Sequence, residues 1–128
     1  MKILIDTQLL LWAAEGRLFS SAAEYILDET NDLLFSSASI WEIVIKNGLG
    51  RADFSVDPKS LYFGLLDNDY NELHVTSGHA LLTGSMPAIH KDPFDRVLLA
   101  QSVSEGVPIL TTDSMLAKYP ANVILLKK

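Results

Sequence analysis

Short apolar runs separated by helix-length segments constrain this chain more than any other feature. Lys2–Ile5, Leu33–Ser36, Val107–Leu110 and Val123–Leu126 are nearly continuous in apolar residues. Runs of that kind suit strands covered on both faces, the environment of a parallel sheet between helices. A weaker strand is predicted at Glu72–Val75. The intervening segments have helical spacing and helix stops. Gln8–Ala14 halts near Gly16, and a second helix, capped by Ser20 or Ser21, runs to about Glu29. Ser37–Asn47 is closed by Gly48 and Gly50. Lys59–Asp69, Ser77–Thr83 and Asp113–Lys118 follow the same logic, with loops at Arg51–Pro58 and Gly84–Pro87. Asp92-Pro93-Phe94-Asp95-Arg96 reads as a helix entrance, with Asp92 as the cap and Pro93 at the first helical position. That helix ends near Glu105-Gly106. The alternation predicts one α/β domain over residues 1–128, with a mainly parallel sheet flanked by helices. Ligands of such sheets gather at the carboxyl ends of the strands.

Composition narrows the function. A chain of 128 residues, 48% of them hydrophobic, can bury a substantial core. No run approaches the roughly 20 apolar residues that span a bilayer, so no membrane association is expected. Asp6 interrupts the apolar start before a signal-peptide cleavage site can follow. The absence of cysteine excludes disulfides and thiolate metal sites and agrees with a reducing cytoplasm, the expected compartment. A net charge of −6 argues against a broad electrostatic grip on nucleic acid. A local site containing a cation remains compatible with it.

Four acidic residues then stand out by position: Asp6 after the first strand, Glu42 early in the helix after the second, Asp95 at the entrance of the long helix, and Asp113 after Val107–Leu110. Each has a structural reading. Asp6 and Asp113 can cap helices, Ser39-x-x-Glu42 matches a capping box, and Asp95 suits a helix dipole. Their convergence on one sheet edge has another consequence. Clustered carboxylates either keep protons or recruit a cation. With no cysteine and no paired histidine, a hard ion held by oxygen, Mg²⁺ or Mn²⁺, is the expected cofactor. Such an ion activates water and offsets charge on a leaving oxygen, which is the equipment for phosphodiester hydrolysis.

Ile5-Asp6-Thr7, the Ser39-Ile40-Trp41-Glu42-Ile43 helix with Lys46, Asp92-Pro93-Phe94-Asp95-Arg96 and Leu110-Thr111-Thr112-Asp113 together resemble the PIN-domain ribonucleases, and more narrowly the VapC-type toxins of bacterial toxin–antitoxin pairs. The resemblance spans essentially the whole chain. It implies strand order 3-2-1-4-5 and metal-dependent endonucleolytic cleavage of RNA. It also implies a homodimer, silenced by a cognate antitoxin that covers the site. Asp6, Glu42, Asp95 and Asp113 fall on the family's acidic metal-site positions, and Thr112 on its hydroxyl position.

The remaining candidates each carry two readings. Asp92 is a helix cap or a supporting ligand. Lys46, four residues after Glu42, makes an ion pair or meets a substrate phosphate. Arg96 grips a phosphate or pairs with Asp92. Thr7 and Thr112 orient a metal-bound water or bond locally to backbone. His74, His79 and His90 lack metal-ligand spacing, and only His90 lies close enough to the acidic run to touch substrate. Trp12 and Trp41, in apolar helices, are expected in the core. Two other functions share the pattern: a catalytically silent PIN-like binding subunit, and a phosphoacceptor receiver domain. The latter needs an acidic pair after the first strand, where Asp6 is followed by Thr7.

Overall fold

A computed structural model describes all 128 residues. Its centre is β1 (Lys2–Ile5), whose Ile3, Leu4 and Ile5 have no exposed surface. A strand so apolar on both faces is stable only with neighbours on each side and helices above and below. β2 (Asp32–Ser36) and β4 (Ile109–Thr111) supply the neighbours, with β3 (Asn71–Leu73) and β5 (Val123–Leu125) at the edges. All pairings are parallel, in the order β3-β2-β1-β4-β5. Alternation along the strands divides the core. Ile3, Ile5, Leu33, Phe35 and Leu110 face one cluster, while Leu4 and Ile109 face a second with Leu98, Leu99 and Leu116.

The helices are α1 (Thr7–Ala14), α2 (Ser20–Ile26), α3 (Ser37–Gly48), α4 (Pro58–Asp67), α5 (Ser77–Leu82) and α6 (Pro93–Glu105). Asp57 caps α4 through Ser60 N–H, and Asp92 caps α6 through Phe94 N–H at 2.9 Å. Gly106, with φ +66°, closes α6 in the left-handed conformation that favours glycine. The expected architecture and strand order are present, with local differences. The third strand is shorter than Glu72–Val75 and begins one residue earlier. A 3₁₀ turn, Leu116–Lys118, replaces the helix expected over Asp113–Lys118. Pro120 follows closely and ends any longer helix. Neither Ser20 nor Ser21 caps α2, where Phe19 holds that position.

The largest departure concerns α3. Ile40, Trp41, Ile43, Val44 and Ile45 all look like core in sequence, yet the buried residues of α3 are Ala38, Ser39, Glu42 and Ile43. They form one stripe at helical spacing, which places Glu42 inward. Trp41 falls outside it and is 63% exposed, with Val44 and Ile45 also exposed. Its ring meets Phe94 edge-on at a centroid distance of 5.4 Å. Trp12 remains partly buried against the core, edge-on to Phe19. The polar side of α3, with Ser39 and Glu42, faces inward, while Trp41, Val44 and Ile45 on its apolar side are exposed, so the usual rule that the apolar stripe faces the core misplaces this helix.

Candidate active site

β2 and β4 lie on opposite sides of β1, so the chain turns in opposite directions from the centre of the sheet. A crevice opens at the carboxyl ends of β1 and β4, as it does at the switch point of other open α/β sheets. The Asp6 N–H donates to Leu110 O at 3.0 Å, which fixes the end of β1 against β4. The register Ile5↔Leu110 then sets Asp6 beside Thr111. Thr111 Oγ1 donates to Asp6 Oδ2 at 2.6 Å and accepts from Asp113 N–H at 3.0 Å. One hydroxyl therefore holds two of the acidic positions in place. Thr112, the hydroxyl expected from the sequence, also lines the crevice, but the hydroxyl that bonds Asp6 is Thr111. Pairing of β1 with β4 was the signal that would have found it.

All four acidic candidates line one cleft of about 250 Å³: Asp6, Glu42, Asp95 and Asp113. Asp92, Lys46, Thr7, Thr112, Arg51 and Asp53 share its walls. The capping explanations fail for two of the four. Asp6 holds the N-cap position of α1 but its side chain accepts no cap bond. Glu42 lies in the body of α3, whose cap is Ser36, accepting from Ala38 N–H; the Ser39-x-x-Glu42 capping box is absent. Asp113 does make a local turn, accepting from Met115 N–H at 2.9 Å. Asp92 both caps α6 and lines the cleft.

Burial makes this convergence electrostatically costly. Asp6 is 7% exposed and Glu42 4%. Burial, partly offset by the Thr111 hydrogen bond, pushes the Asp6 carboxyl up to about 6, and the charge of Glu42 adds to the rise. Asp95 is pushed up to about 8, first by burial and then by Asp6, Asp92, Glu42 and Asp113. Lys46 Nζ pairs with Glu42 Oε2, as the i,i+4 spacing predicts. Glu42 Oε1 is buried with no hydrogen-bond partner. An unpartnered carboxylate oxygen among raised carboxyls has the chemistry of a cation ligand. An oxygen-rich donor set of this kind fits Mg²⁺ or Mn²⁺.

Thr111→Val tests the frame of the site. It removes the bond that favours ionised Asp6 and unpairs Asp113 N–H. Unfolding in urea should show a loss of about 1–3 kcal/mol. A variant as stable as the wild type would mean that this hydroxyl does not organise the cleft.

Two sequence candidates are placed differently. Arg96 neither pairs with Asp92 nor lines the cleft. Its guanidinium donates to the carbonyls of Thr83 (2.6 Å), Pro87 (2.8 Å), Met86 and His90 (3.3 Å each), and reaches Tyr119 Oη. The expected pairing with Asp92 is thereby corrected, and the Nη1 and Nη2 groups bind the 83–90 segment. Thr7 Oγ1 bonds Ser39 Oγ at 2.8 Å, tying α1 to α3. In the other direction, His90 comes closer than expected. Its Nε2 lies 2.8 Å from Asp95 Oδ2 and 3.6 Å from Asp113 Oδ2.

The profile described as PIN domain matches residues 3–122, and the chain belongs to that family. Among solved structures it is similar to a chain of VapBC2 from Rickettsia felis, in a crystal with a DNA fragment from the promoter. The TM-score is 0.72 at 14% identity, covering 98% of each chain. DNA-bound VapBC from Salmonella typhimurium gives 0.71 at 15% identity over 97% of each chain. VapBC-1 from nontypeable Haemophilus influenzae gives 0.60 at 16%, covering 92% of this chain and 91% of that one. At these identities the likeness concerns the fold. Comparison with curated protein sequences finds no significant match. No helix is long and apolar enough to cross a membrane.

Proposed function

We propose that this PIN-domain protein is a metal-dependent endoribonuclease that acts as the toxin of a toxin–antitoxin pair. The observation that carries the reading is the cleft itself, where four carboxylates meet and Glu42 Oε1 is left without a partner. Asp6 and Asp95 would be the principal holders of a Mg²⁺ or Mn²⁺ ion, with Glu42 and Asp113 completing the set directly or through water. When bound, the ion supplies an activated water and offsets charge on the leaving oxygen. The chain's own part is to hold these groups in a fixed frame: Thr111 for Asp6 and Asp113, Lys46 for Glu42, and the α6 cap for Asp95. One of the carboxylates not engaged with the ion would accept a proton from the attacking water. Because the ion reverses the local sign, an acidic protein can take an anionic substrate at this one place.

Three of the structural neighbours are chains of VapBC complexes, which supports a cognate antitoxin as partner; its covering of the cleft, a homodimer and a cytoplasmic setting are parts of the same proposal. The exposed apolar residues of α3 leave surface for such partners. A silent PIN-like binding subunit is disfavoured because no acidic position is missing. The receiver-domain reading is set aside by the family match and by the sheet, since flavodoxin-like folds run 2-1-3-4-5. The test is cleavage of a mixed structured-RNA pool by purified, antitoxin-free protein with Mg²⁺ or Mn²⁺ and then with EDTA. Discrete fragments that vanish with EDTA are expected. No cleavage by folded protein under any condition would favour the binding subunit.

A further inference from the structure

His90 is the one imidazole that reaches carboxylates of the acidic cleft, Asp95 and Asp113, and it does so from the segment that Arg96 and Tyr119 hold. His90 Nε2, an Asp95 carboxylate oxygen and an Asp113 carboxylate oxygen lie within 4.8 Å of one another. That spacing suits three ligands on one octahedral ion, whose neighbouring donors sit about 3 Å apart at metal–oxygen distances of roughly 2.0–2.1 Å. The backbone around His90 is anchored twice. Its N–H donates to Tyr119 Oη at 2.6 Å, and its carbonyl accepts from Arg96. Asp92 N–H reaches Nδ1 only at 3.5 Å, the outer limit of a hydrogen bond. The anchored loop and the 2.8 Å contact of Nε2 with Asp95 Oδ2, rather than the Nδ1 contact, therefore set the ring. A second feature of the same cleft points to a cation, the buried and unpartnered Glu42 Oε1.

We infer that His90 is a nitrogen ligand of the divalent ion, completing a mixed site with Asp95 and Asp113. The inference rests on the metal-site reading above and narrows it. Imidazole suits transition ions far better than Mg²⁺, which prefers oxygen. The site thereby selects Mn²⁺ over Mg²⁺. Arg96 and Tyr119 act as positioning residues for this ligand, through the loop and without touching the ion.

The test is calorimetric titration of the metal-free full chain with Mn²⁺ and with Mg²⁺, alongside electron spin-echo spectroscopy of the Mn²⁺-loaded protein. His90→Ala leaves both backbone anchors in place, and far-UV dichroism checks its fold. Wild type should show a nitrogen coupling of imidazole type that disappears in His90→Ala. Mn²⁺ affinity should fall about tenfold or more in the variant, and Mg²⁺ affinity by less. Absent coupling, with affinity unchanged or tighter in His90→Ala, would overturn the inference and make His90 a resident countercharge that the ion displaces. Wild type that binds neither ion would overturn this inference and the metal-dependent reading together. Binding without nitrogen coupling would overturn this inference alone.

Discussion

Asp95→Asn is expected to reduce metal-dependent cleavage at least a hundredfold while making the metal-free protein more stable. Both effects have one cause. Asp95 sits at the first turn of α6 with its carboxyl among Asp6, Asp92, Glu42 and Asp113, and its side chain is 14% exposed. An amide keeps the shape of the carboxyl but cannot supply a charged ligand oxygen, so an ion held there loses one of its principal contacts. It also removes a carboxyl that ionises only near pH 8 in the folded state, against 3.8 for the unperturbed group. At pH 8 the variant should gain on the order of 1–3 kcal/mol in unfolding free energy, a rise of several degrees in Tm. Loss of activity with loss of stability would indicate a structural role for Asp95. An active variant would remove it from the site.

The second large effect is an inverted pH dependence of stability in the metal-free protein. The folded pKa of Asp6, about 6, and of Asp95, about 8, both lie above the unfolded value of 3.8. Between roughly pH 4 and 8 the folded chain therefore binds more protons than the unfolded chain. Unfolding free energy then falls as pH rises. The stability is fully present below the unfolded pKa and is lost as pH climbs through 6 and then 8. Asp28, Asp53 and Asp57 are held below their ordinary value by local hydrogen bonds. They act in the opposite sense, but only where pH falls toward and below 4. Tm in chelator should accordingly be higher at pH 5.5 than at pH 8. The Asp6→Asn/Asp95→Asn double variant should flatten the difference. A Tm that rises over this window would contradict the account.

Much of this was legible in the sequence because the informative signals are local. The apolar run at Ile3–Ile5, the Asp92-Pro93 cap and Gly106 each act within a few residues, and they give the central strand and the long helix. The acidic set was legible because topology alone carries Asp6 and Asp113 to the same edge. What escaped depends on which segments pack together. Thr111 matters because β4 lies in register with β1, and Thr112 beside it is chemically equivalent on paper. Arg96 adjoins Asp95 in sequence, yet its donors are taken by carbonyls of the loop at Thr83–His90. His90 reaches Asp95 and Asp113 only because that loop is tied to Tyr119. Trp41 sits on the apolar side of α3, and that side is exposed because the helix turns Ser39 and Glu42 inward to the cleft.

The most direct test of the central claim, that the cleft exists to hold a cation, is thermal unfolding of the full chain at pH 7.5 during titration with Mn²⁺. A ligand that binds only the folded state stabilises it in proportion to the logarithm of its concentration above Kd. The clustered carboxyls should thus turn from a source of repulsion into a source of stability. The account predicts a progressive rise of several degrees in wild type, reversed by EDTA and absent in Asp6→Asn. A Tm that does not respond to Mn²⁺ or Mg²⁺ in wild type, or responds equally in Asp6→Asn, would contradict it.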